Sequence, residues 1–335
     1  MKSIAKLAFM TVVMAVTAGN LIAENATVMN YELSDPVTYK NLTVYFILNQ
    51  NAFDDENMLT LEDAIRDGKV IVHETGEVQD LKIENKSDSP VFIQSGDIIK
   101  GGRQDRAIRY DMILPPKSGE LSLPSFCVEQ GRWSKRGYES AGYFNSSANM
   151  VASKSLKMAI NTYGDQGKVW SEVNDLQEDL SNGINEPARS RVSESSLQLS
   201  LENDKVVNLS KEYIDAIWPK INAQENAVGF LFLINNQINS ADIYRSNELF
   251  GKMWPKLIEA TAIEALANPP AKSASKMPSI DDLNDWLHSG DNLGGKAILI
   301  NDLTSMLSNQ LEKVSVFKTI YTLDNSIIHL SIFSK

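Results

Sequence analysis

Val228-Gly229-Phe230-Leu231-Phe232-Leu233-Ile234 decides the fold. Successive side chains of an extended chain point to opposite faces, and here both faces are apolar. The stretch is therefore expected to be a central strand covered on two sides, turned by Asn235-Asn236. Helical periods flank it. Upstream, Tyr213, Ile214, Ile217 and Trp218 form a stripe from about Ser210 that stops near Pro219. Downstream, a helix from Ser246 carries Leu249, Phe250, Met253, Trp254, Leu257 and Ile258. Further out, Leu156, Ala159, Ile160 and Tyr163, then Val169, Trp170, Val173, Leu176 and Leu180, also recur at helical spacing. Residues 181–204 are Ser-rich and poorly periodic, and read as a mobile connection. The Pro-rich stretch Asn268 to Asp282 reads as a loop. The chain ends in an expected hairpin, Val314 to Thr322 and Ile327 to Phe333, across Asp324-Asn325.

The first half has a different grain. Leu42-Thr43-Val44-Tyr45-Phe46-Ile47-Leu48, Lys69-Val70-Ile71-Val72-His73 and Pro90-Val91-Phe92-Ile93-Gln94 are rich in β-branched and aromatic residues. Gly, Asn, Asp and Ser clusters separate them. One helix interrupts, with Thr60 as N-cap, Leu61, Ala64 and Ile65 as its apolar stripe, and Asp67-Gly68 as its stop. Arg106 to Leu114 reads as one strand. The expectation is an α+β fold: an antiparallel β-sandwich or open barrel over 37–135, with helices and additional strands over 148–335 packed on it, in a single domain spanning 24–335.

The chain has 335 residues, 43% hydrophobic and 22% charged, which excludes a disordered chain. Its 43 acidic against 32 basic residues argue against a sequence-independent nucleic-acid binder. One Cys excludes an intrachain disulfide framework and a Cys-based zinc site. His73, His288 and His329 lie far apart, so no metal site is expected. At the N-terminus, Lys2 and Lys6 precede an apolar run from Leu7 to Ala18, with small residues permitting cleavage after Ala18 or Ala23. Residues 1–23 therefore read as a signal peptide, and the mature chain as exported, periplasmic or extracellular, with no membrane partner once the signal is removed. No Cys follows the run to carry a lipid.

Two polar clusters hold candidate chemistry. In Gly96-Asp97-Ile98-Ile99-Lys100-Gly101-Gly102-Arg103-Gln104-Asp105-Arg106, the paired glycines permit positive φ or close approach of a ligand to the backbone. Arg103 and Arg106 have the chemistry to hold a phosphate or carboxylate, while Asp97 and Asp105 offer acid/base or hydroxyl-binding groups. A salt-bridged β-turn is the structural alternative. In Cys127-Val128-Glu129-Gln130-Gly131-Arg132-Trp133, Cys127 is a candidate nucleophile or a small buried hydrophobe. Glu129 with Arg132 is half of an acid/base or anion site, or an internal salt bridge, and Trp133 is a stacking surface or a packed corner. The candidate catalytic residues are Glu129, Asp97 and Cys127; the candidate ligand-binding residues are Arg103, Gln104, Asp105, Arg106, Arg132 and Trp133. A Cys127–His73 or Cys127–His329 dyad stays open. Arg103, Arg106, Arg109 and Arg132 suggest a local cationic spot within an acidic protein.

LEDAIRDGKVIVHE, VFIQSGDIIKGGRQDR, ILPP and CVEQGRW, followed by a strand and the aromatic helix LFGKMWPKL, resemble the ARG- and rhodanese/phosphatase-superfamily-associated protein domain. The resemblance runs from about Val37 to Phe333. It departs from the family pattern at Asp97, where the family usually has Glu, and the shorter side chain weakens a tightly positioned catalytic role there. The family has no assigned activity; its genomic association with ADP-ribosylglycohydrolases implies a link to ADP-ribose or NAD-derived metabolites. The functional expectation is an exported domain that binds or processes a small anionic ligand. The alternative is a non-catalytic structural or protein-interaction module whose Arg/acid clusters stabilise the fold. Cofactor and oligomeric state have no signature in the sequence.

Overall fold

A computed structural model describes residues 31–53, 57–134, 140–273, 275–289, 291 and 297–335. The expected signal peptide lies outside the described residues. In chain order the elements are β1 (Glu32–Leu33), β2 (Val37–Tyr39), β3 (Leu42–Leu48), β4 (Leu59–Thr60), α1 (Leu61–Arg66), β5 (Val70–His73), β6 (Asp80–Asn85), β7 (Val91–Ile93), β8 (Asp97–Gly101), β9 (Arg106–Ile108), β10 (Met112–Leu114), β11 (Gly119–Cys127) and β12 (Phe144–Val151). There follow α2 (Lys154–Met158), α3 (Gln166–Ile184), α4 (Leu197–Leu201), α5 (Asp204–Ile217), β13 (Ala227–Ile234), β14 (Gln237–Tyr244), α6 (Asn247–Ala267), α7 (Ile280–His288), β15 (Ala297–Asn301), β16 (Thr304–Gln310), β17 (Val314–Tyr321) and β18 (Ser326–Ser334). The fold is α+β.

Three sheets organise these strands. The largest runs β1-β3-β13-β14-β18-β17-β16-β15, with β2 also paired to β3. The second runs β12-β8-β9-β11-β6-β5 and the third β10-β7-β4. Every ladder is antiparallel except the short β4–β7 pair. As expected, β13 is central, between β3 and β14. Its two faces serve two cores. Phe230 and Phe232 pack with Trp254 and Phe250 of α6, whereas Leu231 and Leu233 pack with Leu283 and Leu287 of α7. That double cover is the physical reason for its unbroken apolar run.

α6 is the central helix, buried nearly all round and continuous through Pro255. It runs further than its apolar stripe indicated, because residues 260–267 are buried on every side and carry no amphipathic period. α3 crosses it in backbone contact: a Cβ on Gly183 would stand 1.9 Å from the Leu266 carbonyl oxygen.

The expected Arg106 to Leu114 strand is divided. β9 belongs to the six-stranded sheet and β10 to the three-stranded one, with Arg109, Tyr110 and Asp111 crossing between them. The Asp111 carboxylate makes the crossing, accepting the Ser95 amide at 2.6 Å and the Thr319 hydroxyl at 2.6 Å. Residues 181–204, expected to connect, hold the last turn of α3 and α4. Gln177 donates to the carbonyls of Glu194 and Ser196, both at 3.1 Å, which fixes this segment against α3.

Candidate functional site

The turn between β8 and β9 brings the first polar cluster together. Asp105 closes it by accepting the Gly101 amide at 3.0 Å. Gly101 and Gly102 adopt φ of 127° and 54°, as the sequence suggested. A Cβ on Gly102 would lie 2.2 Å from the Phe144 ring and 2.8 Å from Glu74 Oε2, so only glycine lets β12 and Glu74 close on the turn. β11 delivers the second cluster, since Cys127 pairs with Arg106 across the β11–β9 ladder.

Arg132 joins the two clusters. Its Nε donates to Glu129 Oε2 at 2.6 Å, its Nη2 to Asp105 Oδ1 at 3.3 Å and its Nη1 to the Ser134 carbonyl at 2.6 Å. Glu129 is fully buried; its Oε1 accepts the Ser193 hydroxyl at 2.8 Å, and its backbone carbonyl accepts Gln104 Nε2 at 2.8 Å. The 181–204 segment thus supplies one wall of the site.

Arg106 is also wholly buried, and burial lowers the pKa of its guanidinium, against the raising influence of Cys127 and Glu74. Its Nη1 donates to the carbonyl and side-chain oxygens of Gln104, at 3.1 and 3.4 Å. Its Nε and Nη2 have no hydrogen-bond acceptor. These two lie parallel along one edge of the guanidinium, the edge that engages a carboxylate or phosphate bidentately. Trp133, 43% exposed, covers this arginine: its ring centroid is 5.8 Å from Arg106 Cζ and 5.4 Å from Arg103 Cζ.

Glu74, which the sequence reading did not single out, completes the arrangement. Its Oε1 accepts the Gly76 amide at 2.9 Å and its Oε2 the Arg103 amide at 3.0 Å. Oε2 stands 3.9 Å from Arg106 Nη2, an ion pair beyond hydrogen-bonding distance. The signal for it was an acid ending a strand beside the Thr75-Gly76 turn. Three arginines therefore face three acids, Glu74, Asp105 and Glu129, and the local cationic excess suggested by the sequence is neutralised. Arg109 is elsewhere, against the rings of Tyr110 and Phe126.

Asp97 and Cys127 are placed differently from the rest. Asp97 occupies the opposite end of β8, about 13 Å along the strand from Gly101. There it pairs with Lys256 and accepts the Gln94 amide at 3.0 Å. Cys127 is buried, with Sγ 3.6 Å from the Val78 carbonyl, and burial pushes its thiol up to about 11. Gln166 clamps its backbone on both sides, accepting the Cys127 amide at 3.0 Å and donating to its carbonyl at 2.8 Å.

His329 belongs to a separate buried cluster. Its Nδ1 is 2.7 Å from Asp111 Oδ2 and its Nε2 3.1 Å from Asp242 Oδ1. Lys157 Nζ reaches Asp242 Oδ2 at 3.4 Å, and the Tyr244 ring stacks on the imidazole at 4.5 Å. His73 faces Tyr143, with ring centroids 5.7 Å apart. Among the described residues, no group of three or more His, Cys, Asp or Glu is arranged to hold a metal ion, and no helix is long and apolar enough to cross a membrane.

No curated protein and no solved structure matches the chain. A family model does, over residues 30–333, which takes in all three sheets and both polar clusters. The chain therefore belongs to the ARG and Rhodanese-Phosphatase-superfamily-associated Protein domain family.

Proposed function

We propose that this is an exported protein that binds a small anionic ligand at Arg106, beneath Trp133. One observation carries the reading: a fully buried guanidinium presents its parallel Nε and Nη2 donors without an acceptor. Buried donors are nearly always satisfied, and a buried charged donor left over costs several kcal/mol. An oxyanion would satisfy both donors at once. Binding is favoured over acid/base catalysis, because both Glu129 oxygens are already engaged by Arg132 and Ser193. The family resemblance brings forward ADP-ribose and NAD-derived compounds as ligands.

The test is titration calorimetry of the mature chain with ADP-ribose, NAD, a phosphosugar, inorganic phosphate and acetate. Saturable heat with at least one ligand is expected, lost in an Arg106→Gln variant that still unfolds cooperatively. Silence with all five, in the wild type and in a Glu74→Ala variant alike, would overturn the reading. The clamped Arg132 supports the second reading, a non-catalytic module in which the Arg/acid network holds three chain segments together.

A further inference from the structure

We propose that Glu74 is a built-in occupant of the anion cradle, and that the group which displaces it is a phosphoryl group. This rests on the Arg106 reading above and specifies what binds there. The cradle has three sources of donors: the Gly76 amide, the Arg103 amide and the Nε/Nη2 edge of Arg106. All three converge on one carboxylate, that of Glu74.

The carboxylate fits only part of the cradle. Its two oxygens are taken by the two amides at 2.9 and 3.0 Å. It stops 3.9 Å short of Arg106 Nη2 and leaves Nε with no acceptor. A carboxylate has two oxygens in one plane, and with each held against an amide neither comes within hydrogen-bonding distance of the Arg106 edge. A phosphoryl group has three terminal oxygens in a tetrahedral array, which can take the amides and the guanidinium edge together. The donor set thus extends further than the side chain that fills it can reach.

The surroundings suit an organic phosphate. Trp133 and Tyr143 are exposed at 43% and 57% beside the turn, and Val78, whose carbonyl meets Cys127, is exposed at 43%. This apolar rim lies next to the charged cradle, so a phosphomonoester could bury its phosphoryl group while its carbon skeleton rests on Trp133. Glu74 follows directly on β5, and its side chain reaches the turn by its own torsions. Displacement costs its two amide hydrogen bonds, which the incoming oxygens replace. Until then the carboxylate competes, and apparent affinity falls by the fraction of molecules in which the cradle is open.

Binding of inorganic phosphate, ribose 5-phosphate and acetate would be measured by calorimetry on the mature wild type, Glu74→Gln and Glu74→Ala, with Arg106→Gln in each background. Thermal unfolding would show which variants fold; the alanine variant serves if the glutamine variant does not. The expected result is phosphate binding at least tenfold tighter in either Glu74 variant than in wild type, abolished by Arg106→Gln, with acetate much weaker. Arg106-dependent binding that Glu74 substitution leaves unchanged or weakens would overturn the displacement while the anion-site reading stands. Acetate matching phosphate in the Glu74 variants would overturn the phosphoryl assignment. Silence in wild type and Glu74 variants alike would overturn both.

Discussion

His329 is predicted to be an imidazolium at neutral pH, and its charge to set the alkaline limit of stability. Both ring nitrogens face carboxylates, Nδ1 at 2.7 Å from Asp111 and Nε2 at 3.1 Å from Asp242. A neutral ring would turn one lone pair toward a carboxylate oxygen, whereas the protonated ring donates to both. Burial favours the neutral ring, but the two carboxylates outweigh it and bring the pKa to about 9 against an ordinary 6.5. Lys157, paired with Asp242, brings the buried charges to two of each sign, and the Tyr244 ring covers the imidazole. A pKa raised in the folded state adds stability that is complete below the unfolded pKa and lost as pH climbs through the folded one. The window is therefore from 6.5 to about 9. Across it the loss is about 3 kcal/mol, or on the order of 5 °C in melting temperature for a chain of this size. Urea denaturation from about pH 6 to about pH 10 would measure it. The reference is an Asp111→Asn/His329→Gln variant, which removes one charge of each sign together. Wild type should lose about 3 kcal/mol more than this variant over the window. Parallel curves, or a His329 ring proton titrating near 6.5 by NMR, would refute the reasoning.

Arg132→Ala is expected to cost about 3–5 kcal/mol, because it strands the buried Glu129 and Asp105 carboxylates without their shared cation. A cost below about 1 kcal/mol in urea denaturation would remove the basis for the structural-module reading. Cys127 should resist iodoacetamide in the native protein near neutral pH and react fully in urea, since the thiolate is the nucleophile and burial holds the thiol near 11. Mass spectrometry showing native alkylation at the unfolded rate would contradict that placement, and would restore Cys127 as a candidate nucleophile.

What the sequence disclosed about the fold followed from how local each signal was. β13 was legible because a strand covered on both faces shows it in every residue. α1 was legible because its cap is local: Thr60 accepts the Asp63 amide at 3.2 Å. The division between β9 and β10 was not legible. Residues 106–114 alternate well enough for one strand, and the groups that break it, Ser95, Thr319 and His329, lie far along the chain from Asp111 except for the first. The far end of α6 was hidden for the opposite reason. A helix buried on all sides has no polar face to mark its period.

The site shows the same division between local and distant signals. Gly101-Gly102-Arg103-Gln104-Asp105-Arg106 could be read because a tight turn keeps sequence neighbours together in space. Extending that reading back to Asp97 failed geometrically, because a strand moves the chain about 3.3 Å per residue and carried Asp97 to a different core. Its place beside the turn is taken by Glu74, 29 residues before Arg103 and therefore outside any local pattern. This exchange alters the electrostatic argument. From sequence, the arginines looked like an open invitation to an anion. In the structure Arg106 and Arg132 already have acids within ion-pair distance, so attraction alone cannot select a ligand. What remains is a mismatch of shape: Glu74 has the right charge but a planar head and too short a reach for the donors around it. A ligand that binds here must win on geometry, against a competitor covalently held in place.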